Sequence, residues 1–288
     1  MVSKTKIAYL ALNDALKFRM NNGGELIVPL DIFQFSTNLG IDVRFVDYPS
    51  LEAMYVKDKS PKIIISSQRP YGRQVFDCAH ELGHHFYGHG SKIDEYKIST
   101  REEGQFEPEE FAADCFAGFL LMPKTLINHA FAIKGLSINE CSELDFYAIS
   151  NWIGVGYTTL ISHMVNSLRI LTPQRAKQLQ AVSPKTIRQR LIPNLETSSV
   201  ILVDYFWVGR AIDVQIGDYV ILPSEVLFNG EVATKIDGDN NNIIYQANKH
   251  GVGRFYSSVS SWAAFIRVSR KGYVGRSIFR HLEDPEYV

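Results

Sequence analysis

Between Arg73 and Tyr87 the apolar residues Val75, Phe76, Ala79, Leu82 and Phe86 recur at spacings of three and four, which predicts an amphipathic helix. Pro70 and Tyr71-Gly72 punctuate its start, and Gly88 to Gly90 its end. A second helix is predicted between Glu107 and Pro123. Pro108 suits its first position, acids crowd its first turn where the helix dipole favours them, and Pro123 closes it. Ahead of the first helix, Lys62-Ile63-Ile64-Ile65-Ser66-Ser67 reads as a strand feeding it.

Further on, Glu143 to Asn151, the turn Gly154-Val155-Gly156 and Tyr157 to Leu168 read as helix, turn, helix, the layout of many DNA-binding modules. Beyond Pro193 the runs Val200–Val203, Tyr205–Val208, Asp218–Leu222 and Ile243–Tyr245 are short, β-branched or aromatic, and separated by Gly and Asn. That spacing predicts a small antiparallel sheet or barrel, with Trp262 to Val268 as another strand or a short helix. With Pro193-Asn194 as a linker, the expected division is a catalytic-type unit over 1–130, a helical segment over 131–193 and a β-rich domain over 194–288.

With 288 residues, 45% of them hydrophobic, the chain can bury a substantial core. Three cysteines, Cys78, Cys115 and Cys141, are too few and too irregular for a disulfide framework, and read as small buried hydrophobes. No cationic leader opens the chain and no stretch reads as a membrane span, so the expected location is the cytoplasm, with no membrane partner. Net charge is −1, but unevenly placed: Asp94 to Asp114 is acid-rich, whereas Phe146 to Asn194 has no acid and carries Arg169, Arg175, Lys177, Lys185, Arg188 and Arg190.

The first helix contains His80-Glu81-Leu82-Gly83-His84. Residues four apart share a helix face, so His80 and His84 can chelate one zinc ion, Zn2+. Glu81, one residue round, is placed to take a proton from a water that the metal has made acidic. A catalytic zinc site needs a third protein ligand. The extended motif asks for Gly and then His three and six residues past the second ligand, where this chain has Tyr87 and Gly90. His85 and His89 therefore read as helix-face or loop histidines. The second helix offers Glu110, with Glu107 and Glu109 as competitors, and the plainest reading of all three is a solvated helix start. Glu110 is favoured because Asp114, one turn on, can accept the free N–H of a ligating imidazole and fix its tautomer.

Taken together, these two helices resemble the ImmA/IrrE family of bacterial metallopeptidases. There a His-Glu-x-x-His helix is followed by a helix bearing a Glu, then Ala-Asn-x-Phe-Ala and Leu-Leu-Met-Pro. This chain reads Ala113-Asp114-Cys115-Phe116-Ala117 and Leu120-Leu121-Met122-Pro123, with Asp114 where the family usually has Asn. Leu26 to Ile32 and Leu39 to Val43 are similar to the short helix and strand that open such domains. The resemblance covers roughly residues 25 to 170. It implies an α+β fold: a zincin-like core of a small sheet and the metal helix, then the helix-turn-helix-like segment and the β-rich C-terminal domain. It also implies that the strand with Ile63, Ile64 and Ile65 is an edge to which a substrate backbone pairs.

By the same resemblance the chain is a regulatory zinc endopeptidase whose partner is a protein substrate, such as a helix-turn-helix repressor. His80, His84 and Glu110 hold the metal, Glu81 is the general base and Asp114 orients a ligand. His163 and Tyr157, on the later helix, are candidate donors to the oxyanion of a tetrahedral intermediate, although ordinary packing is the plainer reading of each. The rival reading is a non-catalytic DNA- or protein-binding regulator with a structural zinc site. Nucleic acid is the lesser expectation, because the reader helix begins Tyr157-Thr158-Thr159-Leu160-Ile161 without a base-reading side chain. Phosphate contacts by the basic segment 169–190 are its remaining support.

Overall fold

Alternating burial builds the first sheet. The computed structural model describes residues 3–95, 106–193 and 198–283. Helices α1 (Lys4–Asn21) and α2 (Ile32–Asn38) precede strands β1 (Asp42–Val46), β2 (Leu51–Val56) and β3 (Lys62–Ser66). Every second side chain of β1 and β2 is buried, as in a sheet with one face on a core. Helix α3 (Tyr71–Tyr87), strand β4 (Lys92–Glu95) and helices α4 (Pro108–Leu121) and α5 (Lys124–Ile133) follow. Next come helices α6 (Glu143–Ile153), α7 (Tyr157–Asn166), α8 (Pro173–Gln180) and α9 (Pro184–Leu191). The C-terminal strands are β5 (Val200–Leu202), β6 (Ile212–Gln215), β7 (Tyr219–Pro223), β8 (Val226–Asn229), β9 (Ala233–Gly238), β10 (Asn242–Ala247), β11 (Gly251–Ser257), β12 (Ala263–Ser269) and β13 (Gly275–Arg276). The architecture is mixed α+β. Asn194 of the expected linker and residues 96–105 of the acid-rich stretch lie outside the described residues.

The first sheet runs β13-β1-β3-β2-β4. β1 and β3 are parallel, β2 lies antiparallel to β3, and β4 antiparallel to β2. This corrects the expectation of an edge at Ile63, Ile64 and Ile65. β3 is hydrogen-bonded on both sides, so its backbone groups are spent, and Ile63 and Ile65 are 0% exposed. The far end of the chain completes this sheet, Gly275 pairing with Phe45 and Arg276 with Arg44.

Helix α1 buries Ile7, Ala11, Ala15 and Arg19, a stripe at every fourth residue, and packs on α4. Arg19 is 0% exposed. Its guanidinium donates to the carbonyls of Glu25 (2.9 and 2.7 Å), Val28 and Leu120, so each nitrogen of the buried charge is hydrogen-bonded and α1 is tied to the end of α4. Pro108 to Ile133 is long and apolar enough to cross a membrane by length and composition alone, which the sequence reading had not picked out. Pro123 breaks it into α4 and α5, and most of it is buried against the rest of the fold.

α6 opens with a capping box, Ser142 with Asp145, and Gly154 at φ +87° ends it. The predicted helix, turn, helix is therefore present. The C-terminal strands form two four-stranded sheets, β5-β7-β10-β9 and β6-β12-β11-β8. They are mixed rather than purely antiparallel, since β5 runs parallel to β7 and β6 to β12. Tyr205–Val208, expected as a strand, is a loop. Asp204 accepts from the amide of Phe206 with its side chain and from that of Trp207 with its carbonyl, a turn that overrides the aromatic β-propensity. Trp262 ends up just before β12, resolving that ambiguity as a strand. One hydrophobic cluster runs from Ala11 through the helices to Tyr273.

Candidate metal centre

α3 buries Val75, Cys78, Ala79 and Leu82 on its inner face, and the same turns carry His80, Glu81 and His84 inside, at 7%, 0% and 0% exposure. It stops at Gly88, whose φ of +70° is the left-handed conformation a glycine adopts without penalty. The amide of Gly88 donates to the carbonyl of His85, and that of His89 to the carbonyl of His84. This reversal folds His89 back on the helix, with its Nδ1 2.8 Å from Nδ1 of His84.

Helix α4 crosses close to α3 because Gly83 has no side chain. A Cβ there would stand 3.1 Å from the Cα of Ala113. That approach brings the first two turns of α4, with Glu110 and Asp114, over the imidazoles. Nε2 of His80 lies 3.0 Å from Nε2 of His84, and Oε2 of Glu110 lies 3.2 Å from the first and 3.3 Å from the second. Donors of a tetrahedral zinc site with bonds of about 2.0–2.2 Å stand about 3.3–3.5 Å apart. The triangle fits such an ion with only a small expansion, and its N, N, O donor set leaves a fourth direction for solvent.

The remaining ring nitrogens are oriented as metal ligands require. Nδ1 of His80 donates to Oδ1 of Asp114 at 2.9 Å, which leaves Nε2 with its lone pair toward the triangle. For His84 the matching role falls to His89. The neighbouring imidazoles of His80 and His84 hold the Glu110 carboxyl well below the usual carboxylate range, against the opposing effect of its burial. His85 faces elsewhere, its Nδ1 2.8 Å from the Tyr55 hydroxyl.

The two proposed oxyanion donors are placed differently. Tyr157 donates its hydroxyl to the carbonyl of Leu179 at 2.8 Å, away from the triangle. His163 lines a cleft of about 430 Å3 beside Asp114, together with Arg73, Phe76, Phe111 and Thr158. Its Nε2–H is given to the carbonyl of Met122 at 3.1 Å, and burial pushes its pKa down to about 4, so the ring is neutral with its proton engaged. Neither offers a spare donor in this arrangement. Reading the sequence missed His89, whose signal was a glycine just past a helix end followed by a histidine, and Gly83, which reads as an unremarked residue inside the motif.

No curated protein matches the chain. Among solved structures it is similar to a Mycobacterium tuberculosis transcriptional regulator, at 16% identity and a TM-score of 0.37. That match covers 58% of this chain and 49% of the other, so the chain spans about half the length of that relative, a likeness too slight to build on. Residues 37–143, which hold His80, His84, Glu110 and Asp114, match the family model Peptidase_M78, the IrrE N-terminal-like domain.

Proposed function

We propose that the protein is a zinc-dependent endopeptidase of regulatory type, acting in the cytoplasm on a specific protein such as a helix-turn-helix repressor. The observation that supports this most is the triangle of His80, His84 and Glu110 donors, with Glu81, the residue after His80, buried on the same helix. His80, His84 and Glu110 would hold the ion. When bound, zinc supplies Lewis acidity, making a water in its open position acidic and polarising a carbonyl. Glu81 takes the proton released as water attacks the peptide carbon, and returns it to the leaving amine nitrogen. Asp114 and His89 hold the two imidazoles in the tautomer that presents Nε2. The cleft lined by Phe76, Phe111 and Thr158 takes substrate side chains. An extended substrate pairs with the backbone of β4, which ends the first sheet on the side away from β13.

The second reading, a regulator that binds DNA through the basic helices with a merely structural zinc, rests on the helix-turn-helix layout of α6 and α7. Its cations are partly committed elsewhere: Arg175 donates to the carbonyl of Cys141 and Arg190 pairs with Glu143 at 2.7 Å. Replacing Glu81 with Gln separates the two. A structural site has no use for a general base, so E81Q should keep fold and zinc content yet lose cleavage of a helix-turn-helix protein encoded by a neighbouring reading frame, read by mass spectrometry. Cleavage retained by E81Q would overturn the mechanism.

A further inference from the structure

Where α3 and α7 begin, the two helices meet backbone to backbone. A Cβ on Gly72 would stand 2.7 Å from the amide nitrogen of Gly156. Neither start is capped by a side chain: α3 follows Pro70 and α7 follows Gly156, and neither residue carries an acceptor beyond its backbone. Each helix start carries about half a positive charge, so two of them together favour an anion between them. Beside them is a cavity of about 270 Å3, which Arg188, Trp207, Arg210 and Tyr147 also line.

Arg210 forms part of the same wall. Its guanidinium is pressed against Gly154, where a Cβ would meet Nη2 at 2.3 Å, and its central carbon lies 5.3 Å from the ring of Trp207. Nη1 is wholly buried and makes no hydrogen bond, and Arg210 takes part in no ion pair among the described residues. Asp213, the acid in the same wall, is already engaged by Arg267 (2.5 Å), Arg280 (3.2 Å), His281 (3.2 Å) and the Tyr71 hydroxyl (3.1 Å). Nη1 of Arg210 is thus a buried donor without an acceptor, and a chamber that keeps it beside two uncapped helix starts is built for a negative ligand.

We propose that this chamber binds a small organic oxyanion, a phosphate or carboxylate, held by Arg210, Arg188 and the first-turn amides of α3 and α7. Trp207 and Tyr147 supply a flat apolar wall for the body of the ligand. The site stands apart from the metal centre and does not depend on the peptidase reading, because binding is measured without proteolysis.

The test is a titration of the full, zinc-supplemented chain with phenyl phosphate, following tryptophan fluorescence and Tm, with inorganic phosphate, benzoate and phenol in parallel. Phenyl phosphate should saturate with a Kd below about 1 mM, and phenol should not bind. Equal saturation by inorganic phosphate would support the site and make the free ion its ligand; saturation by benzoate would extend it to carboxylates. Loss of charge-assisted hydrogen bonds should weaken binding about 10- to 100-fold in R210Q. The unliganded R210Q protein should melt at or above the parent temperature, since the guanidinium donor left without an acceptor is gone. R188Q, at a half-buried position, should weaken binding in the same direction and keeps the test open if R210Q does not fold. No saturation by any of the three anions up to about 10 mM, or unchanged binding in both folded variants, overturns the proposal.

Discussion

Oδ1 of Asp114 accepts a 2.9 Å hydrogen bond from Nδ1 of His80, although the two side chains come from different helices and the carboxylate is largely exposed. The bond sets which nitrogen of His80 faces Glu110 and His84. Removing it with D114A should lower zinc affinity about 10- to 100-fold with little change in Tm of the metal-free protein. D114N keeps an acceptor and should lose far less. Competition with a chromogenic chelator reads both, and equal losses in the two variants would contradict the orienting role.

His89 makes the corresponding contact to His84, 2.8 Å between Nδ1 atoms. H89A is expected to weaken zinc binding by at least about ten-fold, whereas H85A, whose ring meets Tyr55 instead, should leave it unchanged. The same chelator assay compares them.

At Gly83 an added Cβ would stand 3.1 Å from the Cα and 3.3 Å from the Cβ of Ala113. A methyl there must push α4 away from α3, so G83A should destabilise the fold by about 1–3 kcal/mol and displace Glu110 from the imidazoles. Chemical denaturation and zinc content should both fall. A variant that keeps full zinc content would show that α4 does not need this approach.

Burial by itself would raise the Asp213 carboxyl, but Arg280, His281 and Arg267 hold it well below the usual range. A depressed folded value means that its stabilisation is complete above the unfolded pKa of about 3.9 and is lost as pH falls below it. D213N, which leaves buried cations without their partner, should cost about 3–5 kcal/mol at pH 7. The gap between the two proteins should hold down to about pH 4 and narrow as the pH falls further, a trend that urea denaturation at several pH values can follow.

Much of the centre is legible in the sequence. His80 and His84 share a helix face by spacing alone, and the Pro108 start with acids in its first turn located Glu110 and Asp114 on a second helix. Helix α1 is not, because its buried stripe of Ile7, Ala11, Ala15 and Arg19 is one isoleucine, two alanines and a charge and carries almost no hydrophobic contrast. Tyr205–Val208 read as a strand because propensity is local, while Asp204 decided the turn.

What the sequence determined by itself is the local code: periodicity, capping residues and the candidate metal donors, each set by neighbours a few positions away. Tertiary structure alone decided that β3 lies inside its sheet, that Gly275 and Arg276 close that sheet from the far end of the chain, and that Gly88 folds His89 back onto His84. Strand order and side-chain convergence depend on contacts between residues distant along the chain. A one-dimensional pattern fixes which face is apolar, but not which partner covers it.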